Sequence, residues 1–359
     1  MKPDFCIKLN PIGVEAQLYG SATNQPHGLL SVSKNASCLA IVLGRIYYQH
    51  EFRLESNISI SKDEIGLCTP ASIALAIYLQ HGWKRLSQME GDFAFVIWDS
   101  KSHTIYAGRD PMGGYPLFWI NQNGHASFAS CFLPLLEQLP TRRLNDEYIA
   151  DLLTAHGPIN ERNVEFCAFE SIKRVRAGTI VRYEQNTGHT EEWNYWSWMA
   201  RIKPPASFQL GELAESFAQL LRNAVRERCM GTVASHLSGG MDSTTVALIA
   251  RDHIQTQSAA AKLHAISVIY KQLNALAREA PYIEAAWQQP GLIIHQVIGD
   301  NLLDFDIFHN PPLHDEPYAG LWRFAMDQGT ILAAADAGAS TLLTGLGADE
   351  LLDWHPFHL

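Results

Sequence analysis

Residues 233–249, VASHLSGGMDSTTVALI, constrain this chain more than any other stretch. VASHL reads as a short buried strand, SGG as a tight loop, and a helix is expected from Asp242 to about Ile254. The rest of the second half repeats the alternation. Strands are expected at 263–270, 292–297 and 340–345, with helices at about 279–289 and 321–337. Strands that alternate with helices pair in parallel and are covered by those helices. An amphipathic helix, residues 211–229, leads into this unit.

The loop sits at the C-terminal end of its strand, where open α/β sheets bind ligands. Gly239 and Gly240 let a ligand approach the backbone, and the helix start presents N–H groups to an anion. Ser238, Ser243 and Thr244 add hydroxyls. Asp242 would repel phosphate unless it holds Mg²⁺, which bridges carboxylate and phosphate oxygens. The loop has no Lys of the GxxxxGK[ST] kind, so it is not the ordinary P-loop. Two glycines alone would mark only a turn; Asp242 and the flanking serines favour a ligand seat. A second loop, TGLGADELL (344–352), also follows a strand, with Gly345, Gly347 and a second carboxylate, Asp349.

The first half has a different grain. Residues 38–48, 91–100, 104–110 and 115–121 are short, rich in β-branched and aromatic residues, and bounded by turn formers. Helices are expected at 70–89, opened by Pro70 and interrupted by Gly82, and at 144–157. A strand pair at 178–193 closes the region. The expected division is an antiparallel α+β domain at 1–193, a linker at 194–208 containing Pro204 and Pro205, and an α/β domain at 209–359. The aromatic run WNYWSW (193–198) reads as interdomain packing, and Asp92, Asp99 and Asp110 as turn and strand-end acids.

A net charge of −10 without a basic block argues against nucleic-acid or anionic-membrane surfaces. No apolar run approaches the roughly 20 residues of a membrane span, and the N-terminus lacks a signal-peptide core. The six cysteines are scattered singly, without metal-ligand spacing. Together these features predict reduced thiols and a cytoplasmic location.

LSGGMDST resembles the PP-loop of ATP pyrophosphatases, which cleave ATP between its α and β phosphates to form acyl-adenylates. With TGLGADE downstream and MEGDFAFVIWDSKSHTIYAGRDPMGGYPLFW (89–119) upstream, the chain resembles the asparagine synthetase family. The resemblance implies an Ntn-hydrolase-like, class II glutamine amidotransferase-like domain followed by a PP-loop domain of the adenine nucleotide alpha hydrolase kind. It also implies ATP and Mg²⁺ as cofactors. The implied nucleotide seat comprises His236, Leu237, Ser238, Gly239, Gly240, Asp242, Ser243, Val268, Gly345, Leu346 and Gly347, with the adenine near His236 and Val268. Ser238, Asp242 and Asp349 are the implied catalytic residues, and Asp242 and Asp349 the implied metal ligands. Glu279 matches an acidic position after the second strand. Members of the family continue into a helical region that carries a catalytic Lys, so the resemblance implies an α/β domain incomplete at its C-terminus.

The departures are specific. The family's glutaminase nucleophile is an N-terminal Cys, but this chain opens Met1-Lys2-Pro3 and its nearest cysteine is Cys6. The family's NGEIYN appears as LGRIYY, with Leu43 and Arg45 at the Asn and Glu positions, and Pro70 stands at a glutamine-binding Asp. These changes imply a glutaminase fold without glutaminase activity, so that the attacking amine belongs to the substrate. Relatives of that type include β-lactam synthetases and the macrolactam synthetases of lasso peptides. GADELLDWHPFHL and HDEPYAGLWRFA resemble the latter group most. That places a small-molecule or peptide substrate in the site, with a precursor peptide and its protease as expected partners. Leu346 replaces the Glu or Tyr of other members and can neither take nor donate a proton. Two alternatives remain: an asparagine synthetase using ammonia or glutamine, and a truncated, non-catalytic binding module.

Overall fold

The computed structural model describes residues 4–10, 13–19, 29–49, 68–122, 124–155, 164–204, 209–307, 309–311, 314–317 and 323–349. Met1–Pro3, the end of the expected linker, the whole YAGLW stretch and the ELLDWHPFHL tail lie outside the described residues. The chain divides into two units, Met1–Lys203 with Leu313–Ala319, and Pro204–Pro312 with Gly320–Leu359. The break falls inside the stretch expected as a linker, and a short piece of the second half groups with the first unit.

The first unit contains two antiparallel sheets. One is built from β1 (Asp4–Asn10), β2 (Gly13–Tyr19), β7 (Phe118–Gln122), β8 (His125–Ala129) and β9 (Lys173–Arg174), in the order β2-β1-β8-β7-β9. The other contains β3 (Leu30–Lys34), β4 (Cys38–Tyr47), β5 (Glu90–Asp99), β6 (Thr104–Arg109), β10 (Thr179–Glu184) and β11 (Thr190–Asn194), in the order β11-β10-β6-β5-β4-β3. The side-chain period of two explains the layering. Phe5, Ile7 and Leu9 of β1 meet Ile41, Leu43, Val96 and Val181 in a core between the sheets. The alternate residues of β4 and β5, among them Val42, Phe95 and Ile97, face outward against helix α1 (Pro70–His81). Both faces are buried, so these strands read as continuous apolar runs.

Helix α1 starts where Thr69 accepts a hydrogen bond from the Ser72 N–H at 3.2 Å and Pro70 fills the first turn. It stops at Gly82, and residues 83–88 continue as a 3₁₀ turn. The outer face of the first sheet is covered by α2 (Leu133–Leu136) and α3 (Asp146–Ala155), giving four layers. Trp193 and Tyr195 pack on the first unit's own core, and Tyr195 donates to the Arg109 carbonyl. A four-residue helix, α4 (Trp198–Arg201), follows.

The second unit has a parallel sheet of β12 (Val233–His236), β13 (Leu263–Ile269), β14 (Leu292–Ile298) and β15 (Thr341–Leu343), in the order β14-β13-β12-β15. One face packs against α5 (Leu210–Arg228), α6 (Met241–Gln257) and α7 (Ala280–Trp287), through residues such as Val225, Ala247, Ala250 and Ala286. The other face, with Ala234 and Ile266, packs against α8 (Phe324–Asp336) through Ala334. This is the α/β alternation expected from the sequence. No helix among the described residues is long and apolar enough to cross a membrane.

Candidate active site

The SGG loop lies where β12 ends and α6 begins. Its strand side is fixed first: the Leu237 N–H donates to the Ile266 carbonyl at 2.8 Å, extending the parallel ladder one residue. The Leu237 carbonyl accepts from Ser267 Oγ at 2.6 Å, which in turn accepts from Trp287 Nε1 at 2.9 Å. Nothing in the sequence pattern pointed to this Trp287–Ser267 clamp, because its members are brought together only by the sheet.

The loop itself is cross-braced. The Ser238 N–H donates to Ser243 Oγ at 3.1 Å, and the two serine hydroxyls lie 2.7 Å apart. Gly239 takes φ +77°, and a Cβ there would lie 2.5 Å from the backbone of Tyr282 and Ile283 at the start of α7. Glycine is therefore required twice over, by conformation and by space. Helix α6 starts after Gly240 without a side-chain cap, so its first turn keeps N–H groups for an anion. Asp242 stands in that first turn. Thr244 Oγ1 is buried without a hydrogen-bond partner.

The second loop touches the first. Strands β12 and β15 are neighbours, with Ser235 opposite Leu343. Past the end of β15, a Cβ on Gly345 would lie 2.7 Å from the Ser243 nitrogen and 3.1 Å from the Asp242 carbonyl carbon. Gly347 takes φ +92° in open space, and Asp349 is exposed just beyond. Asp242 and Asp349 thus belong to two loops in contact. Among the described residues, no group of three or more His, Cys, Asp or Glu is placed to hold a metal, so an ion here would rely on the two aspartates and on ligand oxygens.

Beside the loops lies a cavity of about 340 Å³, wholly within the second unit. Leu237, Ile266, Val268, Ile283 and Met326 form an apolar wall. His236, Ser238, Glu279, Arg323 and Asp327 supply polar groups, and Leu346, 85% exposed, stands at the edge. His236 Nε2 is buried and unpartnered. Burial holds the His236 imidazole below its usual pKa, against the opposing pull of Asp327. Asp300, which sequence reasoning missed, accepts the backbone N–H groups of Lys271, Gln272 and Leu273 at 2.6, 2.9 and 3.1 Å. It pins the turn after β13, next to Tyr270 and Val268 of the cavity.

The first unit offers no comparable chemistry at Cys6. Its side chain lies on the outer face of β1 with Phe118, Phe132 and Leu135, opposite to the intersheet core. Burial pushes the thiol up to about 12. Asp110 is fully buried and accepts from the backbone N–H groups of Phe93, Met112 and Gly114 at 3.0, 2.8 and 2.8 Å. Arg109 donates to the carbonyls of Tyr115, Val175 and Gly113. The RDPMGG run therefore builds a turn.

Two layered antiparallel sheets and a parallel sheet with a paired glycine loop define a class: an amidotransferase-type domain joined to an ATP-pyrophosphatase-type domain. Sequence comparison agrees. Residues 19–196 match the family described as a glutamine amidotransferase domain, and residues 216–359 match the asparagine synthase family. The chain belongs to the asparagine synthetase family.

Asparagine synthetase [glutamine-hydrolyzing] 3 of Bacillus subtilis is 23% identical over 69% of this chain and 38% of its own length. Asparagine synthetase [glutamine-hydrolyzing] 2 of the same organism is 23% identical over 89% of this chain and 43% of its own. Amidase chyE of Penicillium rubens is 24% identical over 87% of this chain and 46% of its own. In each case this chain spans less than half of the relative.

Proposed function

We propose that this chain carries the nucleotide site of an ATP-dependent carbon–nitrogen ligase, which activates a carboxylate as an acyl-adenylate. The observation that carries the reading is the contact of the two glycine loops, Gly345 against the Ser243 nitrogen, at the ends of adjacent parallel strands beside a cavity.

The apolar wall of Val268, Ile266 and Ile283 suits a planar base, with His236 Nε2 at its edge. The phosphates would lie against Ser238, Gly239, Gly240, Ser243 and the first turn of α6. Asp242 and Asp349 would hold Mg²⁺, which neutralises phosphate charge when bound. The substrate carboxylate oxygen attacks the α-phosphorus and pyrophosphate leaves. The N–H groups and hydroxyls of the loop stabilise the charge on the leaving group. An amine then attacks the acyl carbon, loses a proton, and AMP departs.

Closure of a macrolactam in a lasso-type precursor is the finer reading. It is supported by the outward-facing, buried Cys6 and by Leu346, which offers no acid or base at the loop edge. Both fit an amine already carried by the substrate, held near its target by the same peptide. Asparagine formation from ammonia shares the adenylation step and is separated from this reading by the choice of acid.

The test is ATP–pyrophosphate exchange with Mg²⁺, using aspartate and linear precursor peptides as acids and Asp242→Ala as control. Exchange with a peptide and not with aspartate, abolished in the variant, supports macrolactam closure; exchange with aspartate alone supports asparagine formation. No exchange with any acid, together with no ATP binding, refutes the ligase reading.

A further inference from the structure

Helix α7 meets the SGG loop twice, and both meetings lie within the second unit. Its start leaves no room beside Gly239, where a Cβ would lie 2.5 Å from the Ile283 nitrogen. Its last residue, Trp287, donates from Nε1 to Ser267 Oγ at 2.9 Å. Ser267 is fully buried on β13 and gives its own O–H to the Leu237 carbonyl at 2.6 Å. An indole N–H only donates and a carbonyl oxygen only accepts, so the direction of both bonds is fixed.

The Leu237 carbonyl and the Ser238 N–H belong to one planar peptide and point to opposite sides of it. Ser267 holds the carbonyl end. The N–H end donates to Ser243 Oγ at 3.1 Å. Turning the plane would break both bonds and strand a carbonyl at a fully buried residue. Beyond the plane, Ser238 Oγ and Ser243 Oγ lie 2.7 Å apart, and Ser238 Oγ also accepts from the Gly240 N–H at 3.3 Å. One serine donates to the other. Whichever it is, both oxygens are already accepting, and among the described residues a single O–H of the pair is left over for an anion.

The hydrogen bonds therefore run one way, from Trp287 through Ser267 and the 237–238 peptide to the serine pair. Bonds in series polarise one another, so each donor in the run strengthens the next. The run ends at the strand-to-helix turn, beside the first-turn N–H groups of α6. Neither Trp287 nor Ser267 lines the cavity, so any effect of theirs on a ligand passes through Leu237 and Ser238.

We propose that Trp287 and Ser267 are positioning residues for the anion seat: they lock the 237–238 peptide plane and, through it, aim the serine hydroxyl at a phosphate oxygen. This rests on the ATP reading of the loop. Without the lock, a smaller fraction of molecules holds the plane in the binding arrangement, and the apparent Kd rises in inverse proportion to that fraction.

The experiment uses the full chain with Ser267→Ala, Ser267→Thr, Trp287→Phe and the Ser267→Ala/Trp287→Phe double variant. Val225→Ala, which trims the same core from α5, is the control. Three quantities are measured: MgATP affinity by calorimetry, hydrogen exchange of the Ser238 amide by NMR, and melting temperature. The expected result in Ser267→Ala is an MgATP Kd about three- to tenfold higher and Ser238 exchange at least about threefold faster. Trp287→Phe should move both in the same direction by less, and the double variant should be no worse than Ser267→Ala. Ser267→Thr keeps the hydroxyl and should stay closer to the parent than Ser267→Ala does. Val225→Ala should lower the melting temperature alone. If Ser267→Ala and Trp287→Phe behave like that control, with Kd and Ser238 exchange unchanged, the lock is overturned and the clamp is a stabiliser only. A double variant worse than Ser267→Ala by the full Trp287→Phe factor would overturn the single run of bonds. If the parent binds no MgATP, the ATP reading fails, and Ser238 exchange still decides the lock.

Discussion

Replacing Gly345 with alanine tests the contact on which the functional reading stands. The new Cβ would sit 2.7 Å from the Ser243 nitrogen, 3.0 Å from the Ser243 Cα and 3.1 Å from the Asp242 carbonyl carbon. Ordinary contact begins at 3.4 Å, so the loops must part by about 0.7 Å. All three obstructing atoms are backbone, and no flexible side chain is there to give way. The strain of such an intrusion is about 1–3 kcal/mol. The larger consequence is geometric. The displaced atoms are those that aim the α6 N–H groups and Asp242, and a misplacement of about 1 Å in a reacting geometry costs on the order of 100-fold in rate. Gly347→Ala is the matched comparison, because a Cβ there meets nothing within 4 Å and only the φ of +92° is strained. Both variants should lose stability, but only Gly345→Ala should lower ATP–pyrophosphate exchange by about two orders of magnitude. Exchange in Gly345→Ala within about threefold of the parent and of Gly347→Ala would refute a site built on the loop contact.

Three further outcomes follow from the same geometry. Asp300→Ala removes three backbone hydrogen bonds from the turn at 271–273. It should raise the MgATP Kd several-fold, about what a few charge-assisted hydrogen bonds control indirectly, with the melting temperature also lower. His236 is held by burial below its usual pKa, so the unfolded chain takes up this proton first. Its penalty is absent above about pH 6.5 and grows as pH falls from there towards the folded-state pKa; His236→Leu should flatten that part of the pH–stability curve. Cys6, with its thiol near 12, has a thiolate fraction on the order of 10⁻⁴ at pH 8. Iodoacetamide should label it only on unfolding, and Cys6→Ala should leave pyrophosphate exchange unchanged, as mass spectrometry and the exchange assay would show.

What the sequence discloses is what is local. The strand–SGG–helix unit is legible because its glycines, hydroxyls and carboxylate fall within eight residues, and the βαβ alternation because each element carries its own period. The strands β4, β5 and β6 declare themselves as apolar runs buried on both faces. Strand β2 does not. It is an edge strand with mostly exposed residues, GVEAQLY, and its place is fixed by pairing with β1 and not by any pattern of its own. The Trp287–Ser267 clamp, the Asp300 turn and the Glu316–Arg174 pair are invisible for a stronger reason. Each is a single polar residue whose partner is set by tertiary structure, and a lone Asp or Glu in a loop reads as a solvated charge. The division into two halves fails at the same point. Composition shifts only once along the chain, near Pro204, so pattern alone assigns HDEP to the second half; the contacts of Asp315 with the Phe132 N–H and of Glu316 with Arg174 place it with the first.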